Sequence, residues 1–278
     1  MFDPRLLRAF VTIADTGSFT LAAERLHMTQ STISQQLGRL ELAVGRPLID
    51  RAARPVQPTP AGERLLAYAR RLLSLQQEAE TLFADPAGTA AIRIGVPDDI
   101  VTPEMTRAFA GFMQRHREVR LDVTTGLSRD LTRRYRDGEF DIAIVKEAAA
   151  SADHRATFPE EIGWFESAAA PTTWPDPIPL VTFPSGGLYR DAMFERIERE
   201  RRRWYIAFTG SSFASVLNAV EAGLGLSLLP LGPAQPYRVR PYAPFGAEPA
   251  QQVSVYSWEA DGQVAELVAL MAAVLAER

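Results

Sequence analysis

The chain of 278 residues has no cysteine, which excludes disulfides, thiolate metal sites and cysteine nucleophiles. Its three histidines, His27, His116 and His154, are scattered, with no ligand-spaced pair and no neighbouring nucleophile motif. Neither an enzyme's catalytic constellation nor a metal or cofactor is therefore expected. Lysine is almost missing, since Lys146 is the only one among 30 basic residues. No stretch approaches the roughly 20 apolar residues of a membrane span. The start, MFDPRLLRAF, carries acid and no long apolar run, so it does not read as a signal peptide. A soluble, cytoplasmic protein with no membrane partner is the expectation. The net charge of −4 argues against a surface that binds nucleic acid everywhere, yet suits a small basic head on an acidic body.

What is present is ordinary globular composition, 46% hydrophobic and 23% charged, in a length that holds two or three domains. Residues 4–15 read as a first helix with Leu7, Phe10, Val11 and Ala14 buried, Pro4 in its first turn and Gly17 at its end. Residues 18–40 read as two more short helices meeting at a corner. Ser18 caps the first, His27-Met28 interrupts, and Thr29 caps the second. Ile33, Leu37 and Leu40 share one face at helical spacing. That leaves Gln30, Ser31, Ser34, Gln35 and Arg39 facing away from the core. Gln and Ser can hydrogen-bond base edges, and Arg can hold a phosphate or a guanine. The shape is a helix-turn-helix offering its second helix to a major groove; an amphipathic pair with a merely solvated polar face has the same spacing.

After Gly45, the run RPLIDRAARPVQPTPAG reads as two short extended arms with Arg51 and Arg54 near the tip. These arginines are placed for a phosphate or a minor groove, or on a plain solvated hairpin. Thr59-Pro60 then opens a long helix in which Ala61, Leu65, Tyr68, Leu72, Leu75, Ala79 and Leu82 recur every four and three residues. That is a coiled-coil seam, and it predicts self-association. Asp85-Pro86-Ala87-Gly88 ends the helix as a hinge. Beyond Ala90, strands alternate with helices in two series, the mark of α/β lobes. The second lobe is inserted in the first, with chain crossings near residues 156–163 and 230–242.

Taken together, these motifs resemble the LysR-type transcriptional regulators along nearly the whole chain. Residues 7–51 look like the family's most diagnostic stretch. Thr59-Pro60-Ala61-Gly62 matches its T-x-A-G motif, and Gly138-Glu139-Phe140-Asp141-Ile142-Ala143-Ile144 its G-x-x-D-I-A-I strand. Ala222-Gly223-Leu224-Gly225 matches A-G-x-G. Ile49 stands where the family usually has Phe, Pro58 where it has Leu, and Gln35 where Arg is frequent. Gly38 is unusual inside a recognition helix, where it costs about 1 kcal/mol relative to Ala.

The resemblance implies an α/β fold class: a winged helix-turn-helix (1–58), a dimerising linker helix (59–85), and a two-lobed effector-binding domain (90–278) like type 2 periplasmic binding proteins. Lobe I would span about 90–158 and 238–278, and lobe II about 162–232. It implies a homo-oligomer, dimeric through 61–82 and assembled as a dimer of dimers, on double-stranded promoter DNA. Base reading falls to Gln30, Ser31, Ser34 and Gln35, with Thr29 at the helix start. Backbone or minor-groove contacts fall to Arg39, Arg51 and Arg54.

A small-molecule effector would sit beyond the carboxyl ends of the parallel strands. Four turns qualify. Asp98 and Asp99, followed by Thr102, either cap the next helix or select a cationic or polyhydroxyl ligand. Lys146 pairs with those aspartates, binds a carboxylate, or is plain surface. Gly186 and Tyr189 lie in a glycine-bearing helix start that lacks both the phosphate-loop and the dinucleotide fingerprint. Ser211 and Ser212 form a hydroxyl-rich start that also suits a simple cap. Two other classes remain open from the residues alone: a solute sensor whose head makes only protein contacts, and a two-lobed enzyme.

Overall fold

In a computed structural model, residues 3–84, 90–171 and 173–278 are described. Residues up to Ala90, with 136–139, form one unit, and the remainder from Ala91 onward forms a second.

The first unit begins with α1 (Pro4–Thr16), whose first turn is capped by the Asp3 carboxylate and whose end is the left-handed Gly17. Its buried stripe is Leu7, Ala9, Phe10 and Ile13; Val11 and Ala14, expected inside, are half-buried flanks of that core. α2 (Phe19–Arg25) starts at Ser18, and α3 (Gln30–Val44) at Thr29, whose hydroxyl accepts from the Thr32 amide at 3.2 Å. His27, with φ of 54°, makes the corner between them. Ile33, Leu37 and Leu40 are fully buried against α1 and α2, which turns the polar side of α3 outward.

The wing is reduced to two strands of two residues, β1 (Ile49–Asp50) and β2 (Gln57–Pro58), paired antiparallel. Thr59 locks it to α4 (Pro60–Ala84): its hydroxyl accepts from the Gly62 amide and donates to the Pro47 carbonyl at 2.8 Å. A Cβ on Gly62 would lie 2.0 Å from the Leu48 carbonyl oxygen, so the Thr-Pro-Ala-Gly motif is a close-packing requirement.

On α4 the seven-residue seam divides. Ala61 and Leu65 pack on the head's core, joined there by the buried Ala69. Tyr68, Leu72 and Leu75 stay exposed at 63%, 45% and 40%. The Leu82 side chain and the expected hinge at 85–88 lie outside the described residues.

In the second unit, one five-stranded sheet runs in the order β4-β3-β5-β12-β6. Its strands are β3 (Ala90–Val96), β4 (Val119–Thr125), β5 (Ile142–Glu147), β6 (Ala156–Glu160) and β12 (Gln251–Ser257). β3 and β5 are parallel, while β12 runs antiparallel to β5 and β6. α5 (Pro103–Arg115) and α10 (Gly262–Ala276) bury Phe112, Leu267 and Met271 with sheet residues Ile94 and Ile144. α6 (Ser128–Arg136) follows β4. Asp141, the aspartate of the G-x-x-D motif, ties β5 to β3 by accepting the Arg93 amide at 2.8 Å and its guanidinium at 3.1 Å.

The second lobe holds β7 (Ile162–Ser167) between β10 (Ser227–Pro230) and β11 (Val239–Pro241), all antiparallel, beside the parallel pair β8 (Ile178–Thr182) and β9 (Trp204–Thr209). α7 (Leu188–Arg199), α8 (Phe213–Glu221) and the short α9 (Leu231–Ala234) complete it. A Cβ on Gly225 would lie 2.5 Å from the Pro179 carbonyl oxygen, which is why A-G-x-G ends in glycine before β10.

The crossings differ from the sequence expectation. Residues 156–163 are not a bare linker: they contain β6, in the first sheet, and the start of β7, in the second, with the passage at Glu161. The return comes later than 230–242. β11 still pairs with β7, and Phe245 still packs in the second core, so residues 238–245 belong to lobe II. The alternation Tyr237-Arg238-Val239-Arg240 is only four residues long and lies between Pro236 and Pro241, so β11 gave a weak sequence signal.

Candidate nucleic-acid interface and ligand cleft

On the head, Gln30, Ser31, Gln35 and Arg39 are exposed and Ser34 is half-buried. Ser31, Gln35, Gly38 and Leu42 follow one another at four, three and four residues, a single outward stripe along α3. A Cβ on Gly38 would meet nothing within 4 Å, so no packing inside the chain demands this glycine. Thr29 works mainly on its own helix, with its hydroxyl 2.8 Å from those of Ser31 and Thr32. Gln36, which sequence reasoning passed over, donates to the Met28 sulfur at 3.7 Å.

The wing arginines lie in the turn between β1 and β2, as expected, and each holds a partner within the head. Arg51 pairs with Glu41 at 3.1 Å and lies over the Phe19 ring. Glu41 in turn accepts the Leu48 amide at 2.9 Å, so one carboxylate joins α3 to the wing. Arg54 donates to the carbonyls of Arg51 and Ala53 at 2.7 and 2.9 Å, closing the turn around itself. Both side chains remain exposed.

In the second unit, a small cleft of about 40 Å³, open at its mouth, is lined from both lobes. Lobe I supplies the turns at 97–99 and 126–128 and Lys146 at the end of β5; lobe II supplies Phe183, residues 187–189 and Phe213. Asp98, Asp99, Lys146 and Tyr189 thus come together. Thr102, Ser211 and Ser212 are not in that lining: Thr102 caps α5, and Ser212 forms a capping box with Ser215 on α8. Gly186 lies in a neighbouring depression with Arg129 and Arg133. The turn at 126–128 was missed, although Ser128 opens a helix as the other candidate turns do; its hydroxyl accepts the Lys146 amide at 2.8 Å.

The two aspartates do different things. Asp98 does not cap the helix that follows it. Its Oδ2 accepts the Phe213 amide at 2.6 Å, so a lobe I carboxylate sits on the start of α8 in lobe II. A helix N-terminus favours such a negative charge. Burial pushes the Asp98 carboxyl above its ordinary range, opposed by the Phe213 amide.

Asp99 is buried, with its Oδ2 2.5 Å from both Lys146 Nζ and the Arg278 guanidinium. Burial works to raise it, but Lys146 and Arg278 together hold it below the ordinary carboxylate value. Lys146 also lies 3.0 Å from Glu160 and donates to the Tyr189 hydroxyl at 2.9 Å, while that hydroxyl donates to Glu160 at 2.6 Å. Tyr189 is held well above its ordinary value by burial and by Glu160 and Asp99. Glu160 and Arg278 carry no local motif, and only the fold places them here. Among the described residues, no group of three or more His, Asp or Glu could hold a metal ion, and no helix is long and apolar enough to cross a membrane.

Comparison with known proteins covers both units. The family model for bacterial regulatory helix-turn-helix proteins of the lysR family matches residues 4–63, and that for the LysR substrate binding domain matches residues 87–278. The HTH-type transcriptional regulator DgdR of Burkholderia cepacia is 30% identical over 224 residues, 81% of this chain and 76% of the relative. A probable hydrogen peroxide-inducible genes activator of Mycobacterium avium is 29% identical, again over 81% of this chain and 76% of its own. Among solved structures, full-length LysG from Corynebacterium glutamicum with bound effector Arg superposes with a TM-score of 0.60 at 21% identity, covering 99% of each chain. ArgP from Mycobacterium tuberculosis gives 0.59 at 23%, covering 99% of this chain and 98% of that one. At these identities the structures speak for the fold.

Proposed function

The chain belongs to the LysR family of bacterial helix-turn-helix regulators, and from that membership we infer how its own residues divide the work. It is a DNA-binding transcriptional regulator that forms homo-oligomers on promoter DNA and responds to a small molecule in its substrate-binding domain. In our reading it acts in the cytoplasm and is not an enzyme, because its work is binding.

Sequence is read by the outer face of α3, with Gln30, Ser31, Ser34 and Gln35 on base edges and Arg39 on the backbone. The observation that carries this reading is the burial of Ile33, Leu37 and Leu40, which leaves the polar stripe facing outward. Thr29 acts as the cap that orders the first turn of that helix. Arg51 and Arg54 support the wing and keep exposed guanidinium donors for phosphate. The exposed part of the α4 seam, Tyr68, Leu72 and Leu75, pairs with the same seam of a second copy. The effector occupies the cleft at 97–99, Lys146 and Tyr189, and its binding changes how tightly the lobes are held together.

A gel-shift titration on the chain's own upstream DNA tests the reading. Retention should be site-specific, with log affinity falling linearly against log salt as counterions are released. Equal retention of unrelated DNA at every salt concentration would overturn it.

A further inference from the structure

Two of the cleft's favourable places for a negative charge are already taken by the chain itself, and the start of α7, which no side chain caps, is a third that is not. The first amide of α8 holds the Asp98 carboxylate, and Lys146 is shared between Asp99 and Glu160. Arg278 is shared between the same two acids. Asp98 is the exception on the acidic side. It lines the cavity, yet among the described residues no basic side chain forms an ion pair with it. In formal charge, Asp98, Asp99 and Glu160 stand against Lys146 and Arg278, leaving one negative charge over. Around it the walls are apolar and aromatic: Leu127, Phe183, Leu188, Tyr189 and Phe213.

An anion entering here would have to displace Asp98 from α8 or meet it at close range without a compensating cation, and a poorly paired buried charge is costly. A cation would balance the excess charge, and aromatic faces attract cations as well. The body of such a molecule has to be apolar to match the walls, and small, reaching out through the open mouth of the cleft.

We propose that the effector cleft of this chain takes a small organic ammonium ion with an apolar body, its charge paired with Asp98. This rests on the reading of the cleft as the effector site and adds the chemical class of its occupant.

The test uses the full chain and two matched sets of probes: benzylamine, benzyl alcohol and benzoate, then butylamine, butanol and butyrate. Binding is read by calorimetry and by the shift of the thermal midpoint. The amines should bind at least tenfold more tightly than the carboxylates of the same body. Asp98→Asn, which keeps an acceptor for the Phe213 amide, should lose that preference. Asp98→Ser, which vacates the α8 amide, should gain affinity for benzoate.

Carboxylates binding as tightly as amines, no binding by any of the six compounds, or amine affinity unchanged in Asp98→Asn would each overturn the proposal. The wild-type selectivity decides the matter even where a variant fails to fold. Gel shifts in the presence of the same probes separate the two claims. Carboxylates that bind and alter DNA retention overturn the ammonium assignment but leave the effector site standing. An amine bound through Asp98 that leaves DNA retention unchanged supports the ammonium assignment and overturns the effector reading.

Discussion

Replacing Lys146 by methionine removes the only lysine of the chain from a site where its side chain is 4% exposed. With it go the ion pairs to Asp99 at 2.5 Å and Glu160 at 3.0 Å, and the hydrogen bond to the Tyr189 hydroxyl at 2.9 Å. Breaking a buried pair from one side costs about 3–5 kcal/mol, because the remaining charge is stranded. Arg278 still faces both carboxylates, so the expected loss is at the low end, about 3 kcal/mol. For a unit of this size that lowers the thermal midpoint by roughly 6–12 °C. All four tryptophans, Trp164, Trp174, Trp204 and Trp258, lie in the second unit, so intrinsic fluorescence follows its unfolding without interference from the head.

The pH dependence gives the prediction its sign. In the native chain Asp99 is held below its ordinary value, so its contribution is in place above about pH 4 and is lost as the pH falls through the depressed value. Without Lys146 the effect of burial prevails and the carboxyl rises, so protonation relieves the variant. The gap between native chain and Lys146→Met should therefore narrow steadily from pH 7 to about pH 4.5. A gap that is absent at pH 7, or that widens on acidification, would refute the account of the cluster.

Other outcomes follow from the same kind of argument. Gly62→Ala should unfold or displace the wing, since its Cβ would sit 2.0 Å from the Leu48 carbonyl; a head with unchanged melting by circular dichroism would contradict this. Glu41→Ala strands the Leu48 amide and releases Arg51, and should cost about 1–3 kcal/mol of head stability in chemical denaturation. Leu72→Glu, on the exposed half of the α4 seam, should weaken association, read as a shift toward monomer by light scattering at micromolar concentration.

Local chemistry was the most legible part of the sequence. The caps at Ser18, Thr29, Thr59 and Ser212 fall where hydroxyl residues precede helices. The core stripe of α3 follows from its 3.6-residue period. Long-range contacts were legible only in part. That Asp98 would reach a helix 115 residues away in the other lobe cannot be read from spacing, which suggests only the adjacent helix. Glu160 and Arg278 enter the cluster because β6 and α10 lie on one lobe, a fact of sheet order. The wing arginines do lie in the turn between β1 and β2, as their place in the run implies, but the partners they hold there, Glu41 and the carbonyls of the turn, cannot be read from spacing. Similarly, the seven-residue seam of α4 was visible as a pattern, but its first turns serve the head's core rather than a partner.

The central claim is that the outer face of α3 reads bases, and the double variant Ser34→Ala/Gln35→Ala tests it most directly. Affinities for the native site and for single-base mismatches, each measured across a salt series, separate base reading from backbone attraction. Discrimination should fall by about 1–3 kcal/mol for each side chain whose hydrogen bonds to a base edge are removed, while the slope against log salt stays unchanged. Full discrimination retained by the double variant would mean that the reading face lies elsewhere on the head.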